Sequence, residues 1–303
     1  MFALSLLVIA PALAGADRVP QDYATIQAAV DKGSAAVIQV DAGHWAGATV
    51  DRPVSIIGAP GAVIDRGVRA VRGAKAAFIL TGGADDAQIS GFSVDCTSPR
   101  LDLGVYASVP RLGGAADRVA VSDNSFMGCV QGVTNQGSRV AECEASVDGG
   151  AYWVIENNTF DGFSTRSDGG TTGGGIGIAL FNVMAADVVS NHFVGSVADT
   201  PAFSTTGVSV SGCIDCTIAA NNFAVLGGHH YWTSVANHGF YQAGGAASSG
   251  LILADNDATR DSAPHFGVNF RSYDSFDTEL SNNLGTAYID HGHCGDGRIE
   301  VVD

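Results

Sequence analysis

The side chains best suited to chemistry gather late in the chain. Residues 229 to 232 read His229-His230-Tyr231-Trp232; His238 and Tyr241 follow, and then Asp261, His265, Asn269, Arg271 and Asp274. An imidazole or a phenol can take a proton, and a guanidinium can neutralise the carboxylate beside the proton that leaves. On this reading His238 or Tyr241 is the base and Arg271 the neutralising group. Hydrolysis needs instead two carboxyls roughly 5 to 9 Å apart, and Asp261 with Asp274 is the pair to nominate. Tyr231, Trp232, His265 and Asn269 add aromatic faces and planar polar groups, the mixture that holds sugar rings by stacking and hydrogen bonding. The plainer reading is that these residues pack or face solvent, with Arg271 and Asp274 as a surface ion pair worth little. Asp255, Asp257 and Asp261 could hold Ca²⁺, although the chain has no Gly-Gly-x-Gly-x-Asp repeat.

The elements that must position these groups come from a repeat. Two or three alternating apolar residues lead to an Asn and then to an aromatic or apolar residue two places on, as in Val121-Ser122-Asp123-Asn124-Ser125-Phe126 and Ile155-Glu156-Asn157-Asn158-Thr159-Phe160. The aligned asparagines are Asn124, Asn158, Asn191, Asn221, Asn256 and Asn282, spaced by 34, 33, 30, 35 and 26 residues, and a degenerate copy ends at Phe92. Between the copies run Gly-led alternating strands at Gly104, Gly132, Gly175, Gly207, Gly239 and Gly267. Helical solenoids would show a 3.6-residue period, and propeller blades need four strands per repeat. A parallel β-helix needs only that its strands stack, so its corners can hold loops of any length. The expected fold is therefore all-β: a single-stranded right-handed parallel β-helix of about seven coils, with asparagines laddered and Phe92, Phe126, Phe160, Phe193 and Phe223 stacked inside.

The first coil needs a cover. Residues 22 to 33 predict a short amphipathic α-helix capped by Asp22, with Tyr23, Ile26 and Val30 apolar and Gly33 as its stop. The longest insertions follow the Asn-x-Phe strands at 161–174, 194–206, 224–238 and 258–266. They leave from one corner and predict a groove wall beside the Gly-led sheet. The outward column on that sheet is expected to be Tyr106, Thr134, Gly177, Ser209, Tyr241 and Asn269, with Arg271 two places further.

Residues 1–16 hold an apolar run from Leu4 to Ala10 and then small residues, the pattern of a secretory signal peptide, which leaves 17–303 as one domain. No stretch reaches the roughly 20 apolar residues of an integral membrane segment. A formal charge of −16 argues against nucleic acid as a partner. Six cysteines suit an oxidising compartment, secreted, periplasmic or at the cell surface. Cys96 and Cys129 could bridge neighbouring coils, Cys213-x-x-Cys216 could form a local disulfide or stay as buried thiols, and Cys143 and Cys294 have no evident partners.

From Tyr23 to Asp65 the chain resembles the opening of pectin-lyase-like β-helix proteins, pectin methylesterases above all. Thr25-Ile26-Gln27-Ala28-Ala29-Val30-Asp31 stands where they have a capping helix, and Val54-Ser55-Ile56-Ile57-Gly58 where they have a strand. The later Asn-x-Phe coils resemble the generic repeat of the same superfamily. The catalytic patterns of its esterases and polygalacturonases are not matched, although Tyr288-Ile289-Asp290-His291 is similar to a pectate-lyase strand. The resemblance implies the fold and an extracellular polysaccharide as partner, to be bound or processed by lyase, hydrolase or epimerase chemistry; the alternative is a non-catalytic structural or adhesive surface protein.

Overall fold

A computed structural model describes residues 15–69, 73–138, 148–164, 175–197, 205–226, 232–238, 248–261, 269–273, 275–290 and 299–302. The expected signal peptide, Cys143 and Cys294 fall outside them.

The chain is a parallel β-helix. Successive turns contribute strands to three sheets, which hold eleven, seven and ten strands among the described residues and are parallel apart from the edge strand Val68–Arg69 of the third. The first sheet runs from Asp17–Val19 through Ala120–Ser122 and Val154–Glu156 to Ile299–Val302; the second includes Ser125–Cys129 and Thr159–Phe163; the third includes Gln131–Gln136 and Ile176–Phe181. The seven recognised repeats account for seven strands of the first sheet. The other four, at Asp17–Val19, Val37–Val40, Ser55–Gly58 and Ile299–Val302, stack without carrying the repeat.

Local alternation explains the core. In the first sheet alternate residues point inward, and register stacks Ile38, Ile56, Ile89, Val121, Ile155, Val188, Ile218, Leu253 and Leu280 in one column. All of these are buried aliphatics, and mostly β-branched side chains suit such a pleated surface. The asparagine ladder forms as expected. The backbone N–H of Asn124, Asn158, Asn191 and Asn221 each donates to the side-chain oxygen of the asparagine one coil on, at 2.9–3.1 Å. The last rung differs from the expectation: Asn256 donates to Asn283, not to Asn282. Asn282 instead holds the left-handed turn, with φ 51°, a conformation asparagine tolerates.

Phe126, Phe160, Phe193 and Phe223 stack with centroids 5.0, 4.9 and 4.6 Å apart and planes within 10°. Each ring lies over a glycine of the preceding coil. A Cβ at Gly104, Gly132, Gly177 or Gly207 would sit 2.4 to 2.6 Å from the ring of Phe126, Phe160, Phe193 or Phe223. One coil beyond Phe223 the ring gives way to Ala258, and the glycine column there becomes Ser234. Volume is exchanged across the core at constant packing.

The covering helix is shorter than residues 22 to 33 predict. It spans Ile26–Lys32, capped by Thr25, whose hydroxyl accepts from Ala28 N at 3.1 Å. Asp22 cannot cap it, because its carboxylate receives the backbone N–H and the guanidinium of Arg18. Cys96 and Cys129 form a disulfide between adjacent coils, Cα atoms 4.8 Å apart, and Cys213 pairs with Cys216 across one corner.

Several acidic side chains favour the folded state. The Arg18 and Arg118 guanidiniums hold the Asp22 and Asp86 carboxyls below the usual carboxylate range, and hydrogen bonds from Thr259 do the same for Asp257. A carboxyl whose pKa falls on folding stabilises fully above its unfolded value, near pH 4, and loses that contribution as pH drops through the folded value. The thermal midpoint should therefore stay level from pH 7 to about 5 and fall below about pH 4. Arg118→Ala should shrink that acid-side fall slightly, since the pair is exposed. A midpoint unchanged down to about pH 2 would contradict this account.

Candidate functional site

The third sheet is unlike the other two. Strands of the first sheet are buried only at alternate residues, whereas Leu103–Ser108, Ile176–Phe181 and Thr205–Ser211 are buried throughout. Both faces of this sheet are covered. Near the N-terminal end the outer face is apolar: Ala76, Ile79, Leu103, Tyr106 and Val130 pack together beneath Val68 and Leu112. Val68–Arg69 lies there as an antiparallel edge, and the short helix Val109–Leu112 beside it.

Further along, the outer face is mixed, with a buried apolar cluster of Ile176, Ala179 and Phe181 set between polar residues. Thr134 donates to Gln131 at 2.9 Å and Ser108 to Gln136 at 3.3 Å, and Thr206, Ser209 and Ser211 lie buried on the single strand Thr205–Ser211. Register organises these residues into two rows. One row is Tyr106, Thr134, Ala179, Ser209, Ala236, Arg271 and Tyr288; the other contains Ser108, Gln136, Phe181 and Ser211, and beyond it His238, Tyr273 and Asp290. Neighbouring strands lie about 4.8 Å apart, and His238, Arg271, Tyr273, Tyr288 and Asp290 occupy adjacent register positions on the last three strands of this sheet.

The expected outward column is thus corrected in part. Tyr106, Thr134 and Ser209 occupy it, with Ala179 in the place given to Gly177, which faces the Phe193 ring. The strand expected to begin at Gly239 is Trp232–His238, and the one expected at Gly267 is Phe270–Tyr273. The repeat glycine is replaced by Ser234 in the first and by Asn269 in the second, so a glycine-led alignment lost phase there. The connections after Thr159–Phe163, His192–Val197 and Asn222–Leu226 do lead from second-sheet to third-sheet strands.

Of the candidate site residues, His238 and Arg271 stand on adjacent strands, and Trp232 opens its strand opposite Thr205. Tyr231, Tyr241, His265 and Asp274 lie outside the described residues. Asp261 and Asn269 belong to an internal network. The Asp261 carboxylate accepts from Val225 N at 2.9 Å and from the Ser234 hydroxyl. Asn269 is 5% exposed; its amide donates to Ser234 at 3.3 Å and accepts from Thr286 N at 3.0 Å. This chain of bonds fills the space left where the phenylalanine stack ends. Asp257, a further Ca²⁺ candidate, is engaged by Thr259 at 2.9 and 2.6 Å. Among the described residues no group of three His, Cys, Asp or Glu is arranged to hold a metal.

Tyr273, Tyr288 and Asp290 share the rows of Arg271 and His238 and were not selected from sequence. The signal that finds them is the two-residue phase set by Phe270, which puts Arg271 and Tyr273 on one face, and by Ala287, which puts Tyr288 and Asp290 there.

No protein-family model and no curated protein matches this chain. Solved structures do. The surface adhesin PfbA of Streptococcus pneumoniae superposes with a TM-score of 0.53 at 14% identity, covering 95% of this chain and 79% of that one. The A-module of the mannuronan C-5 epimerase AlgE6 of Azotobacter vinelandii covers 94% and 95% with a TM-score of 0.40 at 14% identity. The tailspike gp49 of the Acinetobacter baumannii bacteriophage Fri1, a capsular polysaccharide depolymerase, covers 83% and 57% with a TM-score of 0.38 at 11% identity. At 14% identity the likeness to the adhesin is one of fold alone. No helix of the described residues is long and apolar enough to cross a membrane.

Proposed function

We propose that the protein acts outside the cell, binding and processing an extracellular polysaccharide at the C-terminal end of the third sheet, beyond the strands whose outer face is buried. The observation that carries this reading is the register of Trp232–His238, Phe270–Tyr273 and Ala287–Asp290, which brings Arg271 and Tyr288 beside His238, Tyr273 and Asp290. Aromatic and planar polar groups suit sugar rings, and a guanidinium suits a uronate carboxylate in particular. With both Asp261 oxygens engaged by the fold, proton abstraction next to a uronate carboxylate fits these residues better than two-carboxyl hydrolysis, which makes a lyase or an epimerase the favoured class. The disulfides suit an extracellular setting.

The test is a glycan array followed by reducing-end and unsaturated-product assays on the glycans retained. Arg271→Ala should weaken binding to uronate-containing glycans about tenfold or more, as loss of a charge-assisted contact does. Equal binding by Arg271→Ala and wild type would remove the site from this face. Binding without any product would support the adhesive alternative.

A further inference from the structure

We propose a second binding site, near the N-terminal end of the solenoid, that takes the anionic groups of an acidic polysaccharide: the corner between the second and third sheets at Arg66, Lys75 and Arg100. It stands independently of the function given to the C-terminal end of the third sheet. The formal charge of −16 is unevenly spread. Residues 1–118 carry ten of the fifteen Lys and Arg against eleven of the thirty-one Asp and Glu, a net −1, and the other −15 belongs to residues 119–303. Within the first part, residues 66–84 hold Arg66, Arg69, Arg72 and Lys75 and no Asp or Glu.

The fold gathers these residues around Gly67. The Gly67 N–H donates to Arg100 O at 3.0 Å, and a Cβ on Gly67 would lie 2.9 Å from the carbonyl carbon of Lys75. Val68–Arg69 then runs antiparallel to Lys75–Leu80, with Arg69 in register with Lys75. The backbone at positions 66, 69, 75 and 100 therefore converges on one corner. Carboxylates close by are engaged in the fold: Asp65 pairs with His44 at 2.8 Å and with Arg66 at 3.1 Å, Asp95 accepts from Thr97 N at 3.0 Å, and the buried Asp102 accepts from Lys75 N at 2.9 Å. Arg66 and Arg100 are exposed and Lys75 is half-buried, and among the described residues Lys75 and Arg100 make no ion pair. Cations held together repel one another, and a bound anion relieves that repulsion. The backbone of Arg100 is also fixed: its N–H donates to Ser98 Oγ at 3.3 Å, Cys96 before it is tied to Cys129, and Leu101 after it is fully buried. A segment fixed in this way loses little freedom on binding. Nucleic acid fits less well, because its dense phosphates would meet the −15 of the remaining chain, whereas a sugar chain can offer a few carboxylates or sulfates to the corner alone.

The experiment measures binding of dextran sulfate, polygalacturonate and uncharged dextran at low ionic strength. Every protein in the series, the reference included, carries Arg271→Ala, so that the C-terminal end of the third sheet does not contribute and a failure there is distinct from a failure here. Lys75→Gln with Arg100→Gln should weaken binding of one or both charged glycans about tenfold, with the unfolding midpoint unmoved because both changes lie at the surface. Loss with dextran sulfate assigns the corner to sulfates and loss with polygalacturonate to carboxylates. Lys75→Arg with Arg100→Lys keeps both charges and should hold affinity within about threefold. Arg118→Gln removes a cation from the corner between the third and first sheets and should change nothing. No binding of either charged glycan by the reference, equal binding by the double Gln variant, an equal loss from Arg118→Gln, or a tenfold loss in the charge-preserving variant overturns the proposal, as does dextran bound as tightly as dextran sulfate. Tighter binding of single-stranded DNA through the same two residues overturns the polysaccharide assignment.

Discussion

Asn191→Ala is expected to lower the free energy of unfolding by about 3–5 kcal/mol, because it removes the middle rung of a ladder in which each residue serves two coils. The Asn191 side-chain oxygen accepts both the backbone and the amide N–H of Asn158, at 3.0 and 3.1 Å. Its amide donates to Ile155 O at 2.8 Å and to the Asn221 oxygen at 3.1 Å. Asn191 is 1% exposed, so water cannot take over these contacts, and a buried polar group left unpaired costs about 1–3 kcal/mol. Asn283 provides the comparison. It ends the ladder, is only half-buried, and accepts from Asn256 alone. Asn283→Ala should cost about 1–2 kcal/mol. Equal losses in the two variants, measured by denaturant unfolding, would show that the ladder contributes nothing as a connected column.

Phe193→Ala is expected to cost a similar amount, about 3–5 kcal/mol, for a different reason. The ring is fully buried between Phe160 and Phe223, at 4.9 and 4.6 Å, and its removal leaves a cavity that neighbouring coils cannot close without breaking strand pairing. Gly177 sharpens the point. Its absent side chain makes the room the ring occupies, with a Cβ there 2.6 Å from both the Phe193 ring and Gly207 O. Phe193→Leu should cost less, about 1–2 kcal/mol, since a smaller void remains. A loss under about 1 kcal/mol for Phe193→Ala would mean that the stack is loosely packed and that the core is not a close-packed column.

How far the sequence reveals this protein depends on whether a feature recurs. The asparagines and the phenylalanines from Phe126 to Phe223 recur in every middle coil, so their roles could be read directly; Phe92, expected in the same column, packs against Phe78 instead, and Val94 stands opposite Phe126. Asp17–Val19, Val37–Val40 and Ser55–Gly58 stack on the same sheet but carry no asparagine, and their membership appears only once neighbours are in place. The choice between Asn282 and Asn283 illustrates the same limit: the residue types are identical, and the left-handed turn at Asn282 decides which one points inward. At the N-terminus, Asp22 and Thr25 are both acceptable caps, and Arg18, held nearby by the first strand, takes Asp22 out of contention.

The candidate site was legible in its ingredients and not in its geometry. His238 and Arg271 could be nominated by chemistry, but their register neighbours Tyr273, Tyr288 and Asp290 depend on phase. That phase was tied to glycine, and glycine is present only where a phenylalanine of the next coil needs its space. Where Ala258 replaces the ring, Ser234 replaces the glycine, and the marker is lost.

The alternation of short apolar side chains, together with the recurring asparagine, determined that this chain forms a parallel β-helix, because inward and outward placement along a strand is a local, two-residue property. Which residues of distant coils become neighbours was decided by the tertiary structure alone. The connections between strands vary freely in length, so sequence distance carries no register, and only the stacking of ladder, rings and sheets sets Arg271 beside Tyr288 and Tyr273 between His238 and Asp290.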